Sequence, residues 1–104
     1  MPWIILFVAG VLEVIWATAM KSSNGFTLLV PSVVTVVTML GSFFLLSIAM
    51  RSLPLGTSYM VWTGIGAVGA FIAGIILHGE AVTAQRMAAA GMIILGMLMM
   101  KSAS

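Results

Sequence analysis

The stretch WIILFVAGVLEVIWATAM, residues 3–20, decides the fold class. Its 18 residues are apolar or small almost throughout, and Lys21 closes it. A spanning helix needs roughly 20 apolar residues, and this run comes close to that length. No Lys or Arg precedes it and Glu13 interrupts it, so it reads as a retained helix rather than a cleaved signal, although Ala17-Thr18-Ala19 resembles a small-residue cleavage site.

Three more runs follow. The spacing predicts helices over residues 3–20, 28–50, 57–77 and 84–100, in a single domain covering 1–104. Ser22-Ser23-Asn24-Gly25 and Ser52-Leu53-Pro54-Leu55-Gly56 are turn chemistry. Thr27 is the expected N-cap of helix two, and helix four is expected to start near Thr83. Loops this short make consecutive helices antiparallel neighbours. The whole chain has 104 residues, 62% hydrophobic and only 6% charged. Soluble domains carry about 25% charged residues, so a soluble enzyme, a nucleic-acid binder and a disordered chain are excluded. Continuous apolar runs rather than alternation exclude a transmembrane barrel. The expected class is therefore an all-α membrane protein with four transmembrane helices, its main partner the lipid bilayer.

Arg51 and Lys101 fall on the face of the N-terminus, while Lys21 and Arg86 fall on the opposite face. Orientation follows the Lys and Arg balance near helix ends, and a balance of two against two carries almost no signal. Either one orientation wins through other features, or the chain inserts both ways round, which would permit an antiparallel homodimer.

Glu13 is the acid well inside a segment, at a depth where an ionised side chain costs about 2.5–3.5 kcal/mol on insertion scales. No Lys, Arg or His lies well inside a segment to pair with it. One reading is a protonated, hydrogen-bonded glutamic acid that fastens helices. The other is a proton and cation site, the default for an intramembrane acid. Low dielectric disfavours the carboxylate and hydrogen-bond donors restore it. A proton and a substrate cation can then compete for one group, which is the simplest basis for antiport.

Donors stand at helical spacing. Trp16 is three residues after Glu13, and Gly10, three before it, leaves room on the same face. Thr35, Thr38 and Ser42 form a polar stripe on helix two, and Tyr59 and Trp62 are three apart on helix three. Interfacial anchoring or plain packing would also explain these aromatics. Gly64-Ile65-Gly66-Ala67-Val68-Gly69 matches a dinucleotide fingerprint by letter, but it lies inside an apolar helix, where that motif has no phosphate-binding turn. Gly64 and Gly66 read instead as a hinge or as close packing. Ala84, Ala88 and Gly91 suit a helix–helix contact. His78 and Glu80 are expected to be solvated. No cysteine is present, and neither a metal site nor a cofactor is expected.

Together, Glu13-Val14-Ile15-Trp16-Ala17 with Met20-Lys21, then Asn24-Gly25-Phe26-Thr27, Pro31-Ser32, Ser42-Phe43, Leu53-Pro54-Leu55-Gly56-Thr57 and Tyr59-Met60-Val61-Trp62-Thr63-Gly64-Ile65-Gly66 resemble the small multidrug resistance family over essentially the whole chain. The resemblance implies a proton-coupled exporter in the bacterial inner membrane, working as an antiparallel, dual-topology homodimer with one central glutamate per protomer, here Glu13. Trp16, Ser42 and the Gly64-Ile65-Gly66 run look like the guanidinium-exporting subtype. That likeness implies a hydrogen-bond network of Trp16, Ser42, Tyr59 and Trp62 around two glutamates. It implies small cations and protons as ligands and no nucleic acid. Met60 departs from the small residue usual between the tyrosine and the tryptophan, and Ala17-Thr18-Ala19-Met20 is an unusual run before Lys21. A quaternary-ammonium exporter and a non-transporting structural membrane subunit are the alternatives.

Overall fold

The computed structural model describes residues 2–103. Four helices follow in order: α1 (Pro2–Ser22), α2 (Leu29–Ala49), α3 (Leu55–His78) and α4 (Ala84–Ser102). Helix three starts two residues before the expected Thr57, because Pro54 occupies its N-cap with an extended ψ of 152° and a proline there needs no N–H partner. Helix two starts after Leu28 rather than Thr27. The Thr27 hydroxyl donates instead to Asn24 O at 2.8 Å. The α1–α2 turn is organised by buried Ser23, whose Oγ donates to Met20 O at 2.7 Å and accepts from Phe26 N–H at 2.9 Å. Helix four starts beside Thr83 as expected, and the Thr83 hydroxyl caps it, accepting from Arg86 N–H at 3.1 Å.

Among the described residues, α1, α2 and α3 are long and apolar enough to cross a membrane. In α4, Gln85 and Arg86 occupy the first turn and Lys101 the last, which leaves an uncharged centre over 87–100. The helices form a slab whose Cα extents are 40 × 34 × 16 Å. Helix α1 is central and packs on α2 and α3, while the backbone of α4 approaches α3 alone.

The buried core is small: Leu6 and Ala9 of α1, Leu46 and Ala49 of α2, and Val61 and Trp62 of α3. No residue of α4 is buried, and Leu29, Ile76 and Met92 are more than 70% exposed. In water such a surface would be untenable. Among lipid tails it costs nothing, because burial there is driven by packing and hydrogen bonding rather than by exclusion of water.

Candidate functional site

Glu13 and Trp16 lie three residues apart on α1, a spacing that puts both side chains on one helical face. Across from them runs α3. A Cβ at Gly66 would collide with the Glu13 Oε1 and Cδ atoms, so the carboxyl occupies space that only a glycine at 66 leaves open. Neighbouring positions interlock in the same way. A Cβ at Gly10 would lie 2.7 Å from Ile65 Cβ, and one at Gly69 would collide with Val14. Small residues let two backbones approach closely and let the partner's side chains fill the space.

This corrects one expectation. Gly10 does not make room for the Glu13 carboxyl; Ile65 fills its space, and Gly66 clears the acid. Gly64 faces α4, where its Cβ would lie 3.0 Å from Met97 Sδ. Helix α3 runs unbroken through both glycines.

The threonine stripe on α2 also resolves differently from its spacing. Thr35 Oγ1 donates to Pro31 O and Thr38 Oγ1 to Val34 O, each at 2.7 Å, so both hydroxyl protons are spent on α2 itself. Ser42 alone reaches across. Its buried hydroxyl donates to Ala9 O at 2.7 Å and accepts from Trp62 Nε1 at 2.9 Å. One hydroxyl thereby ties α3, α2 and α1 together, one turn of α1 before Glu13.

Aromatic rings connect this knot to the acid. Tyr59 and Trp62 have centroids 5.5 Å apart, Trp62 and Phe43 5.8 Å, and Phe43 and Trp16 6.4 Å, the last two pairs edge-to-face. Phe43 is the link that residue-by-residue reading of the chemistry passed over. Its only sequence signal is its place beside Ser42. Tyr59 remains half exposed, whereas Trp62 is buried.

Two polar atoms in this assembly, Glu13 Oε1 and Trp16 Nε1, are buried without a hydrogen-bond partner. A buried polar group left so costs about 1–3 kcal/mol. One atom is an acceptor and the other a donor, on the same face of α1. No basic side chain approaches Glu13: the sole ion pair among the described residues is Arg86–Glu80 at the far end of α3. Glu80 is thus paired rather than simply solvated, while His78 is exposed as expected. No group of His, Cys, Asp and Glu able to hold a metal occurs among the described residues.

Residues 1–101 match the family model described as Small Multidrug Resistance protein. A guanidinium exporter of Yersinia pseudotuberculosis is 55% identical over 104 residues, covering 100% of both chains. One from Escherichia coli K12 is 54% identical over 101 residues, 97% of this chain and 96% of the relative. A Citrobacter freundii guanidinium exporter is 52% identical over the same shares.

Proposed function

Since the chain belongs to the small multidrug resistance family, we propose that it exports guanidinium or small guanidinyl cations in exchange for protons, as an antiparallel homodimer in the bacterial inner membrane. All four helices span, and Glu13 from each protomer enters one shared site.

The observation that carries this reading is the pair of unpartnered buried atoms, Glu13 Oε1 and Trp16 Nε1. A planar guanidinium ion offers only donors, and it can present two N–H groups to one carboxylate. It therefore satisfies Glu13. The Trp16 N–H needs an acceptor, and a second copy's carboxylate is an acceptor of the right kind. Protonating Glu13 removes the charge that holds the cation, so proton and substrate take the site in turn. Ser42 and Trp62 hold α2 and α3 in register beside it. Gly66 sets the position of the carboxyl, and a bend at Gly64–Gly66 gives α3 its second conformation.

The charge balance supports dual topology. Lys101 lies with its Nζ 5.1 Å from the Trp3 ring centre at one end of the slab. Lys21 and the Glu80 that binds Arg86 line one cavity at the other. Basic residues are thus divided between the two ends, as an antiparallel pair requires.

Substrate-evoked currents in liposomes holding only this protein test the reading. Guanidinium is expected to evoke a current, a quaternary ammonium ion to evoke none, and Glu13→Gln to abolish the response. Current with the quaternary ammonium ion alone would replace guanidinium export with the multidrug reading, and silence toward both would favour a structural subunit.

A further inference from the structure

Glu13 and Glu80 are the only acids in the chain, and both rest over an α3 glycine. Glu80 lies against Gly74, where a Cβ would stand 2.5 Å from Oε1. The Glu80 N–H donates to Gly74 O at 3.2 Å and pins the α3–α4 loop there, with Gly79 left-handed beside it at φ 64°. Arg86 Nη2 donates to Glu80 Oε1 at 3.3 Å. The Arg86 Cζ lies 5.2 Å from the centre of the Phe71 ring. The chain therefore holds a guanidinium group of its own between a carboxylate and an aromatic face.

The two glycines are eight residues apart, about 12 Å along the helix axis. A cavity of about 340 Å³ occupies that interval, walled by Ala67, Ala70 and Phe71 on α3 and by Ala17 and Thr18 on α1. Its outer end is at Gly74 and Glu80. At its inner end stand Ala67, the residue after Gly66, and Ala17, one turn beyond Glu13; Glu13 and Gly66 themselves do not line it. Lys21 and His78 stand at its rim.

We infer that Glu80 and the Phe71 ring form an outer station for guanidinium-type cations, with the Arg86 guanidinium as resident placeholder, from which substrate passes along the α1–α3 cleft to Glu13. The inference rests on the guanidinium-export reading and adds a second stop to it. The Arg86–Glu80 pair suits exchange. It is a single contact between side chains 40% and 39% exposed, and half-solvated pairs of this kind hold weakly. A free guanidinium ion can meet the carboxylate with two N–H groups and lay its face on the ring. The Lys21 ammonium opposes accumulation of cations, so the station passes its occupant on rather than trapping it.

Arg51 and Arg86 are the only arginines, so their side-chain ¹⁵N signals are few and assignable. In Glu13→Gln protein in bicelles, whose inner site is disabled, millimolar guanidinium chloride is expected to shift the Arg86 Nε signal and leave Arg51 in place. Equal potassium chloride is expected to move neither. A motionless Arg86 signal, or one that potassium chloride shifts as much, overturns the station, because the latter is ordinary screening. Transport supplies the second measurement. Glu80→Gln is expected to raise the KM for guanidinium roughly two- to fivefold with the maximal rate kept, and Arg86→Gln to lower it. Both variants break the same ion pair. If they move KM in the same direction, or not at all, the pair is only a clasp and the station is overturned. Wild-type protein that carries no guanidinium would sink the transport reading itself; wild-type transport with an unresponsive Arg86 would sink the outer station alone.

Discussion

Replacing Gly66 by alanine puts a methyl group where the Glu13 carboxyl now lies and 2.8 Å from Glu13 Cγ. Ordinary carbon–carbon contact begins near 3.5 Å, so Cγ must retreat by about 0.7 Å. The carboxyl sits at the end of a rotatable chain and moves further, by roughly 1–2 Å, into another rotamer. The effect on stability is small. Removing a helical glycine contributes about 0.8–1.0 kcal/mol. Overpacking against a flexible tip costs about 1 kcal/mol, the low end of its usual range. The effect on function is large, since a misplacement of about 1 Å in a preorganised site costs up to about a hundredfold. We expect Gly66→Ala to lose between about tenfold and a hundredfold in guanidinium transport efficiency while unfolding within about 1 kcal/mol of wild type. Gly10→Ala is the contrast. Its methyl meets the branch point of Ile65, which cannot rotate aside; overpacking of about 2–3 kcal/mol, offset by the same glycine gain, leaves an expected net cost of about 1–2 kcal/mol. Detergent-titrated unfolding followed by tryptophan fluorescence gives the stabilities, and guanidinium-evoked currents give the efficiency. A Gly66→Ala protein with wild-type transport, or one less stable than Gly10→Ala, would refute the argument.

Ser42→Ala is expected to destabilise by about 1–2 kcal/mol, because the Trp62 N–H loses its acceptor while Ala9 O keeps its helical partner. A double-mutant cycle with Trp62→Phe checks this, and simple additivity would break the proposed link. If protons and guanidinium compete for Glu13, lowering the pH neutralises the carboxylate and weakens the cation's hold. The KM should then fall as pH rises, by at most about tenfold per unit, and level off once the carboxylate is fully ionised; a KM that rises with pH between about 6 and 9 would contradict a shared group. Thr83→Ala removes the acceptor for Arg86 N–H. It should cost about 1 kcal/mol and speed amide hydrogen exchange in the first turn of α4 while leaving α1 unchanged.

Much of the fold was legible because membrane helices are written locally. The apolar run at 3–20 is long enough to be a helix whatever it packs against, and Lys21 marks its end without reference to any neighbour. The turn at Asn24-Gly25 carries its own signature, and the structure puts both residues at positive φ, 50° and 71°. Phe26 follows at 66°, an unusual conformation for a bulky residue and one that no propensity predicts. The site was legible in part. Glu13 announces itself by the cost of placing an acid inside an apolar helix, and Trp16 by its spacing from Glu13. The stripe Thr35, Thr38 and Ser42 misleads because side chains three and four apart share a face, yet a threonine in a helix can bond its own backbone. Only Ser42 meets another helix.

Length, hydropathy and the depth of one acid were therefore determined by the sequence alone, since each depends on residues within a single helix. The tertiary structure decided the rest: that Gly66 rather than Gly10 clears the Glu13 carboxyl, that Phe43 joins Trp16 to Trp62, and that Glu80 holds Arg86 against Phe71. A period of 3.6 residues tells which side chains share a face, but not which neighbour that face meets. The meeting is fixed by the rotation and axial register of α1 against α2 and α3, and these follow from packing summed over whole interfaces, which no single stretch of the chain contains.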